Sequence, residues 1–302
     1  MEEGPYTLAL SSSFFGFYSH AGSLAALERA GTPPSALSGC SGGALAGAGW
    51  AAGLCAERLR DVLLRTRRED CMVPFWERPA LGLLSVDPSP FIEALPVRHL
   101  EQARVPLRIS TFDLLARRTI VLEKGCISQA VTASCAVPLL FPPTFIGSRP
   151  HYDGGIADHD AFAGCKAGER VLSIQHAAKE VVAVDELDDD AGSRLGRAVS
   201  LPAGGAAQGL KERLMHACMP RHSPPQDCVV LTLEHLPYVG PDRMHLGGRA
   251  LDEASEGTQV ALDMRLAAHP AGGKPPVMLR VACASAPAGM VSESSAARQT
   301  LR

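Results

Sequence analysis

The chain has 302 residues, 46% apolar and 20% charged, with a formal net charge of −3 and 5% aromatic residues. These values fit a globular protein able to bury a sizeable core. They count against a nucleic-acid partner, which needs a basic surface for phosphates and aromatic platforms for unpaired bases. The start, Met1 to Pro5, has neither the basic region nor the apolar core of a signal peptide. Ala44 to Cys55, the longest weakly polar stretch, is too short and too rich in small residues to span a bilayer. Nine cysteines without paired spacing indicate reduced thiols and a cytoplasmic protein. No CxxC or Cys/His cluster has zinc-ligand spacing, so no metal and no cofactor are expected.

In chain order, "YTLAL" (Tyr6 to Leu10) reads as a short buried strand and "SSSFFG" (Ser11 to Gly16) as a loop. Ser19 to Gly31 follows the helical period, with Leu24 and Leu27 on one face and Gly31 as its stop. Ser35 to Cys40 is a second strand. Small residues carry a helix from Ser41 to Leu54, and Ala56 to Glu69 is amphipathic. The proline-rich stretch Cys71 to Pro96 fits neither period. Val105 to Leu114 and Arg117 to Gly125 are predicted strands, Ser128 to Pro138 a helix closed by proline, and Arg149 to Asp158 a strand ending in a turn. "RVLSIQ", "EVVAVDE" and "CVVLTLEHL" add strands, and Arg249 to His269 is a late helix. Asp185 to Gly209 reads as a flexible connection rather than a calcium loop, because its acidic residues lack EF-hand spacing. Alternating strands and helices predict a mostly parallel sheet with helices on both faces, in one domain over residues 5–283. Residues 284–302, rich in Ala and Ser, are expected to be a disordered tail.

Two short motifs carry chemistry. Gly39-Cys40-Ser41-Gly42-Gly43 is GxSxG between a strand and a helix, the setting of a nucleophile elbow. There the N–H of Gly42, at a helix start, would face a developing oxyanion. Taken alone, the stretch is equally a small-residue helix packed on the sheet, with Ser41 as its cap. No histidine sits in a motif that marks it as a base. His20 opens the first helix and fits a capping or packing role at least as well as a catalytic one. Asp153 in "HYDGG" ends a strand before two glycines, as a base over the sheet edge or as an ordinary Asp-Gly turn.

In this order the motifs resemble the patatin-like phospholipase family. Strand, loop, helix, strand, GxSxG and helix are followed by "TASCAVPLLFPP" (Thr132 to Pro143) and then by Asp153-Gly154-Gly155. "STFDL" (Ser110 to Leu114) is similar to the family's Thr-Asp strand. The resemblance covers about residues 6 to 160. It implies a three-layer α/β/α fold with a mostly parallel central sheet, the patatin-like domain filling 5–283. It implies a dyad in which Ser41 is the nucleophile and Asp153 the general base, acting on acyl esters of lipids through an acyl-enzyme. Gly39 and Gly43 shape the elbow, Gly154 and Gly155 the turn after the base, and Gly42, Ser12 and Ser13 form the oxyanion hole.

The family's oxyanion loop is a run of glycines, whereas this chain has Ser11-Ser12-Ser13-Phe14-Phe15-Gly16. Serines held at positive φ there would be strained, which implies a slow or selective enzyme, or a catalytically dead lipid-binding protein. On that account Ser13→Gly raises activity. An acyltransferase using the same serine is the third reading. Phe14, Phe15, Phe17 and Tyr18 fit either core packing or an acyl-binding wall. Phe75, Trp76, Leu81, Leu83, Leu84, Leu139, Leu140 and Phe141 are candidates for an apolar mouth, with peripheral contact at membranes or lipid droplets.

Overall fold

A computed structural model of the chain describes residues 4–67, 69, 72–74, 84–86, 89–178, 222–264 and 276–283. The expectations for the apolar segment 75–83, the connection and strand within 179–221, and the tail 284–302 fall outside the described residues.

The strands are β1 (Thr7–Leu10), β2 (Ala36–Cys40), β3 (Met72–Pro74), β4 (Leu84–Val86), β5 (Leu107–Asp113), β6 (Arg118–Leu122), β7 (Thr144–Ile146), β8 (Arg149–Asp153), β9 (Val171–Ala178), β10 (Cys228–Leu236) and β11 (Val277–Ala282). The helices are α1 (Phe17–Arg29), α2 (Gly42–Ala51), α3 (Ala56–Arg65), the short α4 (Ser89–Glu93), α5 (Ile127–Ser134) and α6 (Gly247–Asp263). β3 and β4 form a separate antiparallel pair, and the remaining nine strands form one sheet in the order β11-β10-β9-β1-β2-β5-β8-β7, with β6 also paired to β5. From β11 to β5 every pairing is parallel; β6, β7 and β8 add an antiparallel end. This is a mixed α/β fold with a large, mostly parallel sheet.

Period-two alternation decides which residues face the helices. Leu8, Leu10, Leu37, Ile109, Leu172, Ile174, Leu231 and Leu233 enter one large core with the buried side chains of all six helices. Gly22 lets α1 and α6 approach backbone to backbone, since a Cβ there would lie 2.1 Å from Leu251 O. Across the described residues the opposite face is covered instead by the segment after β8. Phe162 packs on Ala9, Val171, Cys228 and Val230, and buried Arg108 of β5 pairs with Glu169 through two bonds of 2.8 Å. The predicted helix Ser128 to Pro138 stops at Ser134: Pro138 has no N–H to give to Ser134 O and disfavours helical backbone at Val137, and the freed Ala136 O accepts from Asp153 N.

Candidate active site

β5 sets the geometry of the site. Along one edge it pairs with β2, placing Cys40 opposite Ser110. β6 occupies the other edge from Ile109 to Asp113, so β8 continues the edge that β2 leaves, with Asp153 opposite Thr111. β2 and β8 thus meet head to head on consecutive residues of β5. Ser41 and Asp153, 112 positions apart, are joined there by a hydrogen bond of 2.7 Å from Oγ to Oδ2.

Ser41 has φ 51° and ψ −120°, a conformation that costs a non-glycine residue about 1–3 kcal/mol and persists only where neighbours enforce it. The enforcement is local. Ser41 N donates to Ser134 Oγ at 2.8 Å, Ser134 Oγ donates to Ser110 O at 2.7 Å, and Ser41 O accepts Leu45 N at 3.0 Å. The elbow glycines are needed for close approach. A Cβ on Gly39 would sit 2.7 Å from Ala44 Cα, one on Gly42 2.3 Å from Ser13 O, and one on Gly43 2.3 Å from Leu10 O. Asp153 is held by two further hydrogen bonds, Oδ1 accepting Gly155 N at 2.7 Å and its N–H donating to Ala136 O at 2.9 Å, and the Gly154 that follows packs against Ser110 O, where a Cβ would come within 2.4 Å. Ser41 and Asp153 are 6% and 4% exposed, so the pair is shielded yet reachable.

The loop Ser11 to Gly16 departs from its expected conformation. None of Ser11, Ser12 and Ser13 has a positive φ; in this loop that conformation falls on Phe15, at 58°. Gly16 N donates to Ser13 O at 3.2 Å, closing a turn whose third residue is Phe15, the position that takes positive φ in a turn of type II. The strain expected at the serines is therefore absent, and Ser13→Gly relieves none. Phe15 is buried between Phe14 and Phe17. Ser12 N donates to His159 O at 2.6 Å, whereas the N–H groups of Ser13 and Gly42 find no acceptor among the described residues.

Two thiols flank the site. Burial pushes Cys40 and Cys135 well above the usual thiol range, and the Asp153 carboxylate adds to both. They remain protonated, leaving Ser41 as the nucleophile candidate. Sequence reasoning missed Ser110, Ser134 and Asp158. The available signal was the polar content of a central strand: Arg108, Ser110, Thr111 and Asp113 of β5 are all buried.

The family model for patatin-like phospholipases matches residues 8–162, half of the chain's 302 residues. The chain belongs to the patatin-like phospholipase family. Uncharacterized NTE family proteins of Mycobacterium bovis and Mycobacterium tuberculosis are 30% identical to it over 156 residues, 50% of this chain and 42% of theirs. The patatin-like chain thus spans less than half the length of these curated relatives. Among solved structures, VipD from Legionella pneumophila aligns over 86% of this chain and 67% of its own, at 13% identity and a TM-score of 0.46.

Behind the loop of this patatin-like protein, His20 of α1 is completely buried. Its Nε2 bonds to Ser11 O at 2.8 Å, which makes Nε2 the protonated nitrogen, and its ring lies 4.0 Å from that of His176 on β9. Burial first, and the nearby His159 charge in addition, hold His20 down at about 3 against the hydrogen bond to Ser11. The unfolded chain takes up this proton below 6.5, the folded one only near 3. Stability contributed by neutral His20 is therefore full above 6.5 and falls with pH by up to about 1.4 kcal/mol per unit. Urea unfolding at about pH 7 and about pH 5 should show a loss of about 2 kcal/mol. His176, also held well below 6.5 by burial, adds a dependence of the same sign, so His20→Gln should reduce the slope and leave the His176 part; an unchanged slope would remove His20 as a source.

Proposed function

We propose that this protein is a lipid acyl hydrolase in which Ser41 is the nucleophile and Asp153 the general base. The observation that supports the reading is the 2.7 Å Ser41 Oγ to Asp153 Oδ2 hydrogen bond, made by a serine held at positive φ at the start of a helix. Ser41 Oγ attacks the ester carbonyl as Asp153 Oδ2 takes its proton. The resulting oxyanion is received by Gly42 N–H, at the N-terminus of α2, and by Ser13 N–H. Ser12 N–H is already given to His159 O and plays no part unless that bond opens. Collapse of the intermediate expels the alcohol, which takes the proton from Asp153. Water then attacks the acyl-enzyme with Asp153 again as base, releasing the fatty acid and restoring Ser41.

The substrate class is an acyl ester of a lipid, in keeping with the family. Leu139, 85% exposed at φ 71° on the loop that leads from Ala136, is offered for peripheral contact with a lipid surface, whereas Leu140 and Phe141, expected beside it in the apolar mouth, are buried in a small core cluster. A cytoplasmic setting fits the free thiols of the described cysteines.

A fluorophosphonate probe tests the chemistry directly. Time-dependent labelling at one site, abolished by Ser41→Ala, is the expected result. An unlabelled wild-type protein that still binds phospholipid vesicles would overturn it in favour of a lipid-binding protein. Transfer of the acyl group to an added alcohol in preference to water would make the protein an acyltransferase.

A further inference from the structure

We propose that Asp158 is a positioning residue of this site, acting through Ser110 to hold together the strand ends that carry Ser41 and Asp153. The inference rests on the Ser41–Asp153 reading above. Asp158 is a buried carboxylate that the proposed chemistry does not use. Its N–H donates to Gly154 O at 2.9 Å, and its carboxylate accepts Ser110 Oγ and, at 3.1 and 3.2 Å, Ala163 N. A carboxylate taken out of water is tolerated only when hydrogen-bonded. Burial pushes Asp158 above the usual range, while the bonds from Ser110 and Ala163 and the His222 charge oppose that shift. From β2 the neighbouring titratable group is the Cys40 thiol, which feels the charges of both Asp153 and Asp158.

Ser110 is where the two halves of the site join. Its carbonyl accepts Ser134 Oγ, and Ser134 Oγ accepts Ser41 N, so the elbow hangs from this carbonyl. The same carbonyl is in contact with Gly154, where a Cβ would come within 2.4 Å, so the turn after the base rests on it as well. The Ser110 hydroxyl then goes to Asp158, two residues beyond the 3-10 turn's Ile156. One buried side chain thereby ties β5 to the segment following β8. A shift of Ser110 moves Ser41 and Asp153 relative to each other, and displacements of about 1 Å at a reacting pair cost on the order of 10²-fold in rate.

The experiment compares fluorophosphonate labelling of the full chain and its variants as a function of probe concentration. Asp158→Asn retains an amide oxygen that can accept from both Ser110 and Ala163, and it should label within about threefold of wild type. Asp158→Ala leaves both donors unmatched. It should lower the maximal labelling rate by about 10²-fold while the probe concentration at half-saturation stays the same. Ser110→Ala, which keeps the carbonyl, should slow labelling about tenfold and add nothing further to Asp158→Ala; it also serves if Asp158→Ala does not fold. A folded Asp158→Ala or Ser110→Ala that labels like wild type overturns the inference, as does an Asp158→Asn as slow as Asp158→Ala. Failure of wild type to label at all removes the Ser41–Asp153 reading itself, and this inference falls with it.

Discussion

Replacing Asp153 by asparagine should slow acylation of Ser41 by about 10²–10⁴-fold, the range that a positioned general base contributes. Asparagine matches the carboxylate in size. Its amide oxygen can still accept Gly155 N, and its NH₂ group can still meet Ser41 Oγ, so the strand ends stay in place. What it cannot do is take a proton. The loss should therefore appear in the labelling rate and not in the urea midpoint, and the two measurements on one preparation separate chemistry from folding. A variant that labels as fast as wild type would mean that Asp153 only orients the serine.

The largest effect on folding is expected from Gly43→Ala. The added methyl would lie 2.3 Å from Leu10 O and 2.7 Å from Ser11 O, backbone atoms at the end of a fully buried central strand. Nothing flexible can yield there. Either α2 lifts off the end of β1 or the loop after β1 moves, and overpacking of this kind costs about 1–3 kcal/mol, occasionally more. For a chain of this size that corresponds to a fall in thermal midpoint of roughly 2–5 °C. Helix propensity alone would favour alanine over glycine by about 1 kcal/mol. A stabilised Gly43→Ala would therefore show that the close approach is not what the glycine serves. Because the methyl also presses on the loop beside Ser41, labelling should slow together with the loss of stability.

Ser41 and Asp153, the proposed nucleophile and base, were legible because each sits at a backbone requirement that only certain residues meet. A serine between glycines after a short strand, and an aspartate before two glycines after a later one, leave a trace at fixed spacing. The supporting residues leave none. Ser110, Ser134 and Asp158 are ordinary polar residues in a strand, a helix and a turn, and their roles exist only once β5 brings those elements together. The conformation of Ser11 to Ser13 was also beyond reach. Residue type biases φ but does not set it, and the turn closed by Gly16 N and Ser13 O moved the positive φ to Phe15. Nor does the sequence say which segment lies on the second face of the sheet among the described residues. A continuous apolar run such as that of β1 predicts a strand buried on both sides, not whether a helix or a loop such as 158–170 covers it.

Local sequence by itself determined the main strands and helices in order, though not β3, β4, α4, β7 or β11, together with the elbow at Ser41 and the turn at Asp153, since these follow from periodicity and from the steric freedom of glycine. Tertiary structure decided what those residues can do. Only the register of β5, with Cys40 opposite Ser110 and Asp153 opposite Thr111, turns two motifs 112 positions apart into one hydrogen-bonded pair. Strand register is a property of the packed sheet, because a shift of one residue would turn every side chain of the strand to the other face.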